Sequence, residues 1–90
     1  MSRAFVNEDA GGSVPRRDYA LPPRDDPGFD AAAAEALLEA ARAGETASAE
    51  VATGYYWGER KLHDHVLRLR DGAIAANDDR LAQLADRFLR

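Results

Sequence analysis

The chain has no cysteine among its 90 residues, which excludes a disulfide framework, a thiolate metal site and a cysteine nucleophile. Proline is absent after Pro27, so nothing beyond that point lacks the backbone N–H that a helix needs. No apolar run comes near the roughly 20 residues that span a bilayer, and the opening Met1 to Glu8 lacks the apolar core of a signal peptide. A soluble, cytoplasmic protein is the expectation. The sequence also lacks a Gly-rich phosphate loop, a nucleophile elbow and an HExxH arrangement, so a self-contained enzyme is not expected. Charge is mixed and without long runs of one sign, and the formal net charge of −4 argues against broad attraction to nucleic-acid phosphates.

What is present divides near Phe29. Residues 1–28 hold all four prolines together with Gly11, Gly12 and Gly28, and show no sustained periodicity. They read as an extended or disordered arm whose scattered apolar residues, Phe5, Val6, Val14, Tyr19 and Leu21, could dock on a partner or on the rest of the chain. From residue 29 to 90 the pattern is helical, and the fold class is all-α: a helical hairpin, a short third C-terminal helix and the N-terminal arm. The helices are predicted at about 30–43, 46–70 and 77–89. Asp30 suits a helix start, the Ala31–Ala34, Leu37, Leu38 and Ala41 series a short first helix, and Gly44 a left-handed C-terminal stop. Val51, Tyr55, Gly58, Leu62, Val66 and Leu69 recur at spacings of four and three and place one apolar stripe on a second helix. Asp71-Gly72 signals either a turn or a tolerated interior glycine, and Asn77 or Asp78 would cap the third helix, with Ile74, Leu81, Leu84 and Phe88 as its apolar series. A strand over Val66–Arg70 is the alternative, outweighed by the alanine and leucine background.

On a helix, Tyr55, Tyr56 and Trp57 would point in directions about 100° apart, so at least one must lie at an edge or on the surface. Tyr55 or Trp57 would anchor a thin core; the functional reading makes all three partner-binding residues. Gly54 and Gly58, four apart, suit close approach of another backbone. His63 could share a helix face with Glu59, but His65 faces away, and three metal ligands do not converge.

The segment Glu39-Ala40-Ala41-Arg42-Ala43 followed by Gly44-Glu45-Thr46-Ala47-Ser48-Ala49-Glu50 resembles the coiled-coil tip of the Gre family of bacterial transcription elongation factors. The opening Met1-Ser2-Arg3-Ala4-Phe5-Val6 looks like the start of a Gre-like subgroup, and Tyr56-Trp57 is similar to an aromatic pair in its second helix. The family's first helix is much longer, and there is no room for its FKBP-like C-terminal domain. By resemblance, the partner is RNA polymerase, whose secondary channel the tip enters, and Glu45 is the tip acid that would help hold a magnesium ion shared with the polymerase; the protein has no cofactor of its own. Ser48 stands where the family has its second acid and Glu50 is out of register, which makes both doubtful helpers. One carboxylate holds a hard cation less well than two. The resemblance therefore implies an RNA polymerase-associated, Gre-like factor with weak or absent stimulation of transcript cleavage. The alternative is a small helical protein-protein interaction module, acting as a homo-oligomer or an adaptor, for which oligomerisation would supplement a thin core.

Overall fold

The computed structural model describes residues 19–90; the predicted arm lies outside them as far as Asp18, including Phe5, Val6 and Val14. The all-α class holds, with four α-helices and one 3-10 turn among the described residues: α1 Phe29–Arg42, α2 Thr46–Thr53, a 3-10 turn Arg60–Leu62, α3 His63–Ala75 and α4 Asp79–Leu89. Tyr19 and Leu21 pack against the helical core, so this end of the predicted arm is docked on the domain.

Helix α1 follows a turn in which Asp26 accepts the Gly28 N–H at 2.7 Å through Oδ1 and the Phe29 N–H at 3.0 Å through its carbonyl. Its buried residues, Phe29, Ala33, Ala34, Ala36, Leu37, Leu38 and Ala40, cover more than one helical stripe, because α1 packs against α2, α3, α4 and the 3-10 turn. Alanine makes such multi-sided packing feasible, since it combines the highest helix propensity with a small side chain. The other helices contribute Ala49, Leu62, Val66, Leu84, Ala85 and Phe88. In α4 the series Leu81, Leu84, Ala85 and Phe88 has the spacing of one apolar face, and Phe88 is fully buried.

The first hairpin closes as the sequence suggests. Gly44 has φ +71°, the Gly44 N–H bonds the Ala41 carbonyl at 3.1 Å and the Glu45 N–H bonds the Ala40 carbonyl at 2.8 Å. This is a Schellman motif, which satisfies carbonyls that the ending helix leaves without partners. Asn77 plays the glycine's part at the end of α3, with φ +59° and with Asn77 N–H to Ile74 and Asp78 N–H to Ala73 carbonyls at 3.1 and 2.8 Å. Asparagine tolerates this backbone region better than most residues.

The predicted second helix over 46–70 is corrected. It is α2, an irregular segment at 54–59, the 3-10 turn and α3, which runs on through Gly72 to Ala75. Thr53 ends α2: its hydroxyl donates to the Ala49 carbonyl at 2.8 Å and accepts the Tyr55 N–H at 3.1 Å, while Gly54 turns left-handed at φ +78°. The predicted apolar stripe is broken with the helix, and Val51 is 76% exposed. Gly72 has open space around it and ends nothing. The last helix starts at Asp79 with Asp78 as its N-cap; Ile74, predicted to share its apolar series, is on α3 and 58% exposed.

Asp78 joins the two ends of the fold. Its Oδ1 accepts the Leu81 N–H at 3.1 Å, and its other oxygen pairs with the Arg42 guanidinium at the end of α1. Glu39 adds a contact to the same guanidinium at 3.1 Å. The hydrogen bond from Leu81, followed by that from Arg42, holds the Asp78 carboxyl below the usual carboxylate range. A lowered folded-state pKa means that the folded chain binds this proton less readily than the unfolded chain, so the stabilisation is present above the ordinary value of 3.8 and is lost as pH falls through the lowered one. Asp78→Ala is expected to lower the melting temperature at neutral pH by a few degrees and to lessen its acid decline below about pH 4. Thermal unfolding followed by circular dichroism across pH checks this; an unchanged acid decline would mean that Asp78 is not a contributing carboxylate.

Candidate functional site

The segment Gly54 to Glu59 carries the three consecutive aromatics and is tied down at nearly every residue. Two glycines bracket it in backbone conformations that side chains rarely adopt, Gly54 at φ +78° and Gly58 at φ +92°. Between them, the Trp57 N–H donates to Glu50 Oε2 at 2.8 Å, and the Tyr56 carbonyl accepts the Glu59 N–H at 3.1 Å. Past Gly58, the Glu59 carboxylate accepts the Lys61 N–H at 3.3 Å, which starts the 3-10 turn. His63 Nε2 lies 3.2 Å from the Gly58 carbonyl; a carbonyl only accepts, so this nitrogen carries the proton.

Side chains complete the anchoring. The Tyr55 hydroxyl donates to Asp30 Oδ1 at 2.7 Å, linking the segment to the first turn of α1, and the Tyr55 ring centroid is 6.3 Å from that of Phe29. Donation to Asp30, then burial, then the negative charges of Asp30 and Glu59 raise the Tyr55 pKa above its ordinary value, against a smaller opposing effect of Arg24. The Arg24 guanidinium sits 5.4 Å from the centroid of Phe29 and lies over Gly54, where a Cβ would overlap it. Gly54 therefore admits a side chain rather than the backbone its spacing suggested. Trp57 meets Phe88 edge to face, with centroids 4.9 Å apart at 67°, and His63 approaches the same ring at 6.0 Å.

Tyr56 is the exception. It is 78% exposed, while Tyr55 and Trp57 are half-buried and packed against the core. The three predicted partner-binding residues thus separate into two anchors and one displayed ring.

The predicted tip residues do not come together. Glu45 stands at the turn as the N-cap position of α2, without capping through its side chain, and is half-buried. Ser48 is 5% exposed, so it is turned into the domain, and Glu50 is occupied by the Trp57 N–H. Helices of 14 and 8 residues flank the turn, about 21 and 12 Å long at the standard rise; the first has about its predicted length, and the predicted second arm over 46–70 is interrupted after Thr53. The histidines are likewise separate: His65 Nδ1 faces Arg68 at 3.3 Å, far from the role of His63. Among the described residues no group of three His, Cys, Asp or Glu side chains could hold a metal ion. A shallow groove of 340 Å³ between α1 and α3 is lined by Ala31, Ala32, Glu35, His65, Arg68 and Leu69, and it contains neither a nucleophile nor a buried acid–base pair.

No protein-family model, curated protein or solved structure matches the chain. The anchoring pattern has no local signature in the sequence, because Glu50, Asp30 and Phe88 reach the segment from elsewhere in the chain; the paired glycines at 54 and 58 are its one local mark.

Gly54→Ala is expected to cost about 1–2 kcal/mol, from the positive φ alone and before displacement of Arg24, whereas Gly72→Ala, in an exposed helical position with open space, is expected to stabilise by about 0.5–1 kcal/mol. Urea denaturation of both variants measures the contrast; equal stabilities would contradict the turn described for residues 54–59.

Proposed function

We propose that this protein is a small helical protein-protein interaction module whose contact point is Tyr56. The observation that carries this reading is the contrast within one segment, since a tyrosine 78% exposed is held by neighbours that are each fixed by hydrogen bonds or ring packing. A preorganised loop loses little conformational freedom on binding, so more of the contact energy appears as affinity. Tyrosine suits the role because its ring offers a large contact area and its hydroxyl a polar handle. Val51, 76% exposed on the preceding helix, adds apolar surface nearby in sequence. No chemistry is assigned to the chain in this reading; it acts as an adaptor.

Association with RNA polymerase through the Gly44–Glu45 turn is the competing proposal. It rests on the resemblance of that turn alone: Gly44 is left-handed, as at many helix ends, and Glu45 is the single acid there, since Ser48 is buried and Glu50 is bonded to Trp57.

Photo-crosslinking in the native cell separates the two. Tyr56→p-benzoylphenylalanine is expected to give a discrete crosslinked product that the same replacement at the exposed Gln83 does not give. Similar product patterns from both positions would refute an interaction centred on Tyr56. A crosslink to a polymerase subunit from position 45 and none from position 56 would move the function to the hairpin tip.

A further inference from the structure

We propose that the stretch from Tyr19 to Arg24 is a strap that opens locally, without unfolding of the helices, and that its opening uncovers an apolar surface formed by Phe29 and Tyr55. Side chains hold the strap down. Tyr19 and Leu21 pack against the core, and the Arg24 guanidinium lies 5.4 Å from the Phe29 ring centroid and over Gly54. With the strap in place Phe29 is 5% exposed, and the Tyr55 ring stands 6.3 Å from it. Lifting the strap removes the cover from one ring of an aromatic pair that reaches into the segment 54–59. The inference does not depend on Tyr56 being a contact point.

Two features at the far end of the strap oppose closure. Ala20 has φ +55°, a backbone region in which the Cβ of an L-residue crowds the following carbonyl oxygen. Asn77 shares a positive φ, but asparagine has a short polar side chain that relieves it, and alanine has none. The Tyr19 hydroxyl is buried and has no hydrogen-bond partner among the described residues, so closure takes it out of water without a replacement. Lifting the strap returns it to water. The rest of the strap is built to move as one piece, because Pro22 and Pro23 fix their own φ and bias the residue before each towards extended backbone. Beyond them the turn into α1 is held by the Asp26 N–H on the Pro23 carbonyl at 2.9 Å and the Gly28 N–H on Asp26 Oδ1 at 2.7 Å, which makes it the pivot. Apolar burial closes the strap, and the costs at Tyr19 and Ala20 keep the closed state only slightly favoured, as in segments that open below the global unfolding free energy.

Chymotrypsin cleavage of the native full chain after Tyr19 tests the opening, with products identified by mass spectrometry in rising sub-denaturing urea and rates normalised to the same bond in the unfolded chain. Such cleavage reports the population of the open form. It is expected to be nearly independent of urea, because local opening exposes little surface, whereas cleavage after the buried Phe88 is expected to rise with urea as global unfolding does. Tyr19→Phe keeps the cleavage site and removes the hydroxyl, and is expected to slow cleavage by roughly fivefold or more; Ala20→Gly is expected to slow it as well. Cleavage after Tyr19 that rises with urea as steeply as cleavage after Phe88 would make the stretch part of the global fold and overturn the proposal. Rates unchanged by both substitutions would overturn it too. The covered surface has a separate readout in Arg24→Ala, which is expected to quicken hydrogen exchange at the Tyr55 amide by roughly two- to fivefold while the amides of α4 stay as they are. An unchanged Tyr55 amide would show that the strap does not cover this surface and would contradict the uncovering.

Discussion

Burial of α1 on several sides at once is the constraint from which the remaining architecture follows. An alanine-rich helix of 14 residues has little stability by itself in water, and its small side chains bury little area each. It persists because α2, α3, α4 and the 3-10 turn all lie against it. Those neighbours supply the volume that alanine lacks, through Leu62, Val66, Leu84 and above all Phe88. Truncating a fully buried phenylalanine typically costs about 3–5 kcal/mol, a large share of the stability of a domain this small.

The same constraint explains the aromatic segment. The chain has to pass from α2 to α3 while keeping both against α1, and a continuous helix could not change direction in that way. Thr53 and Gly54 stop α2, and Gly58 and Glu59 lead into the 3-10 turn. Trp57 reaches Phe88, and Tyr55 reaches Asp30 on α1. Two of the three aromatics therefore complete the thin core, and the residue between them projects outward. Display of Tyr56 is a geometric consequence of how its neighbours are used.

Much of the fold was legible in the sequence wherever the signal was local. Gly44 marked a left-handed helix end, Asp78 a cap, and the leucine and phenylalanine spacing the inner face of α4, because each depends on residues a few positions apart. The break at Gly54 was not legible, since Val51, Tyr55, Gly58 and Leu62 continue a helical spacing across it. Thr53 bonding back to Ala49 and forward to Tyr55 gives no distinctive pattern, and the Asp30–Tyr55 contact joins residues 25 apart. The aromatic cluster is plain in the sequence, but which of its three rings is displayed depends on Asp30 and Phe88, which lie elsewhere in the chain. For the tip, a linear match of Gly44-Glu45 to a known motif carried no information on the direction of Ser48 or the occupation of Glu50.

The claim on which this account depends most is that the segment around Tyr56 is held as firmly as the helices that flank it. Amide hydrogen exchange on the full chain tests it directly, because exchange reports local opening independently of global unfolding. The Tyr55 and Trp57 amides, bonded to Thr53 and Glu50, are expected to exchange as slowly as amides within α2. Exchange at both positions as fast as in an unstructured peptide would contradict the account, because Tyr56 would then sit on a mobile loop with no preorganised surface to offer.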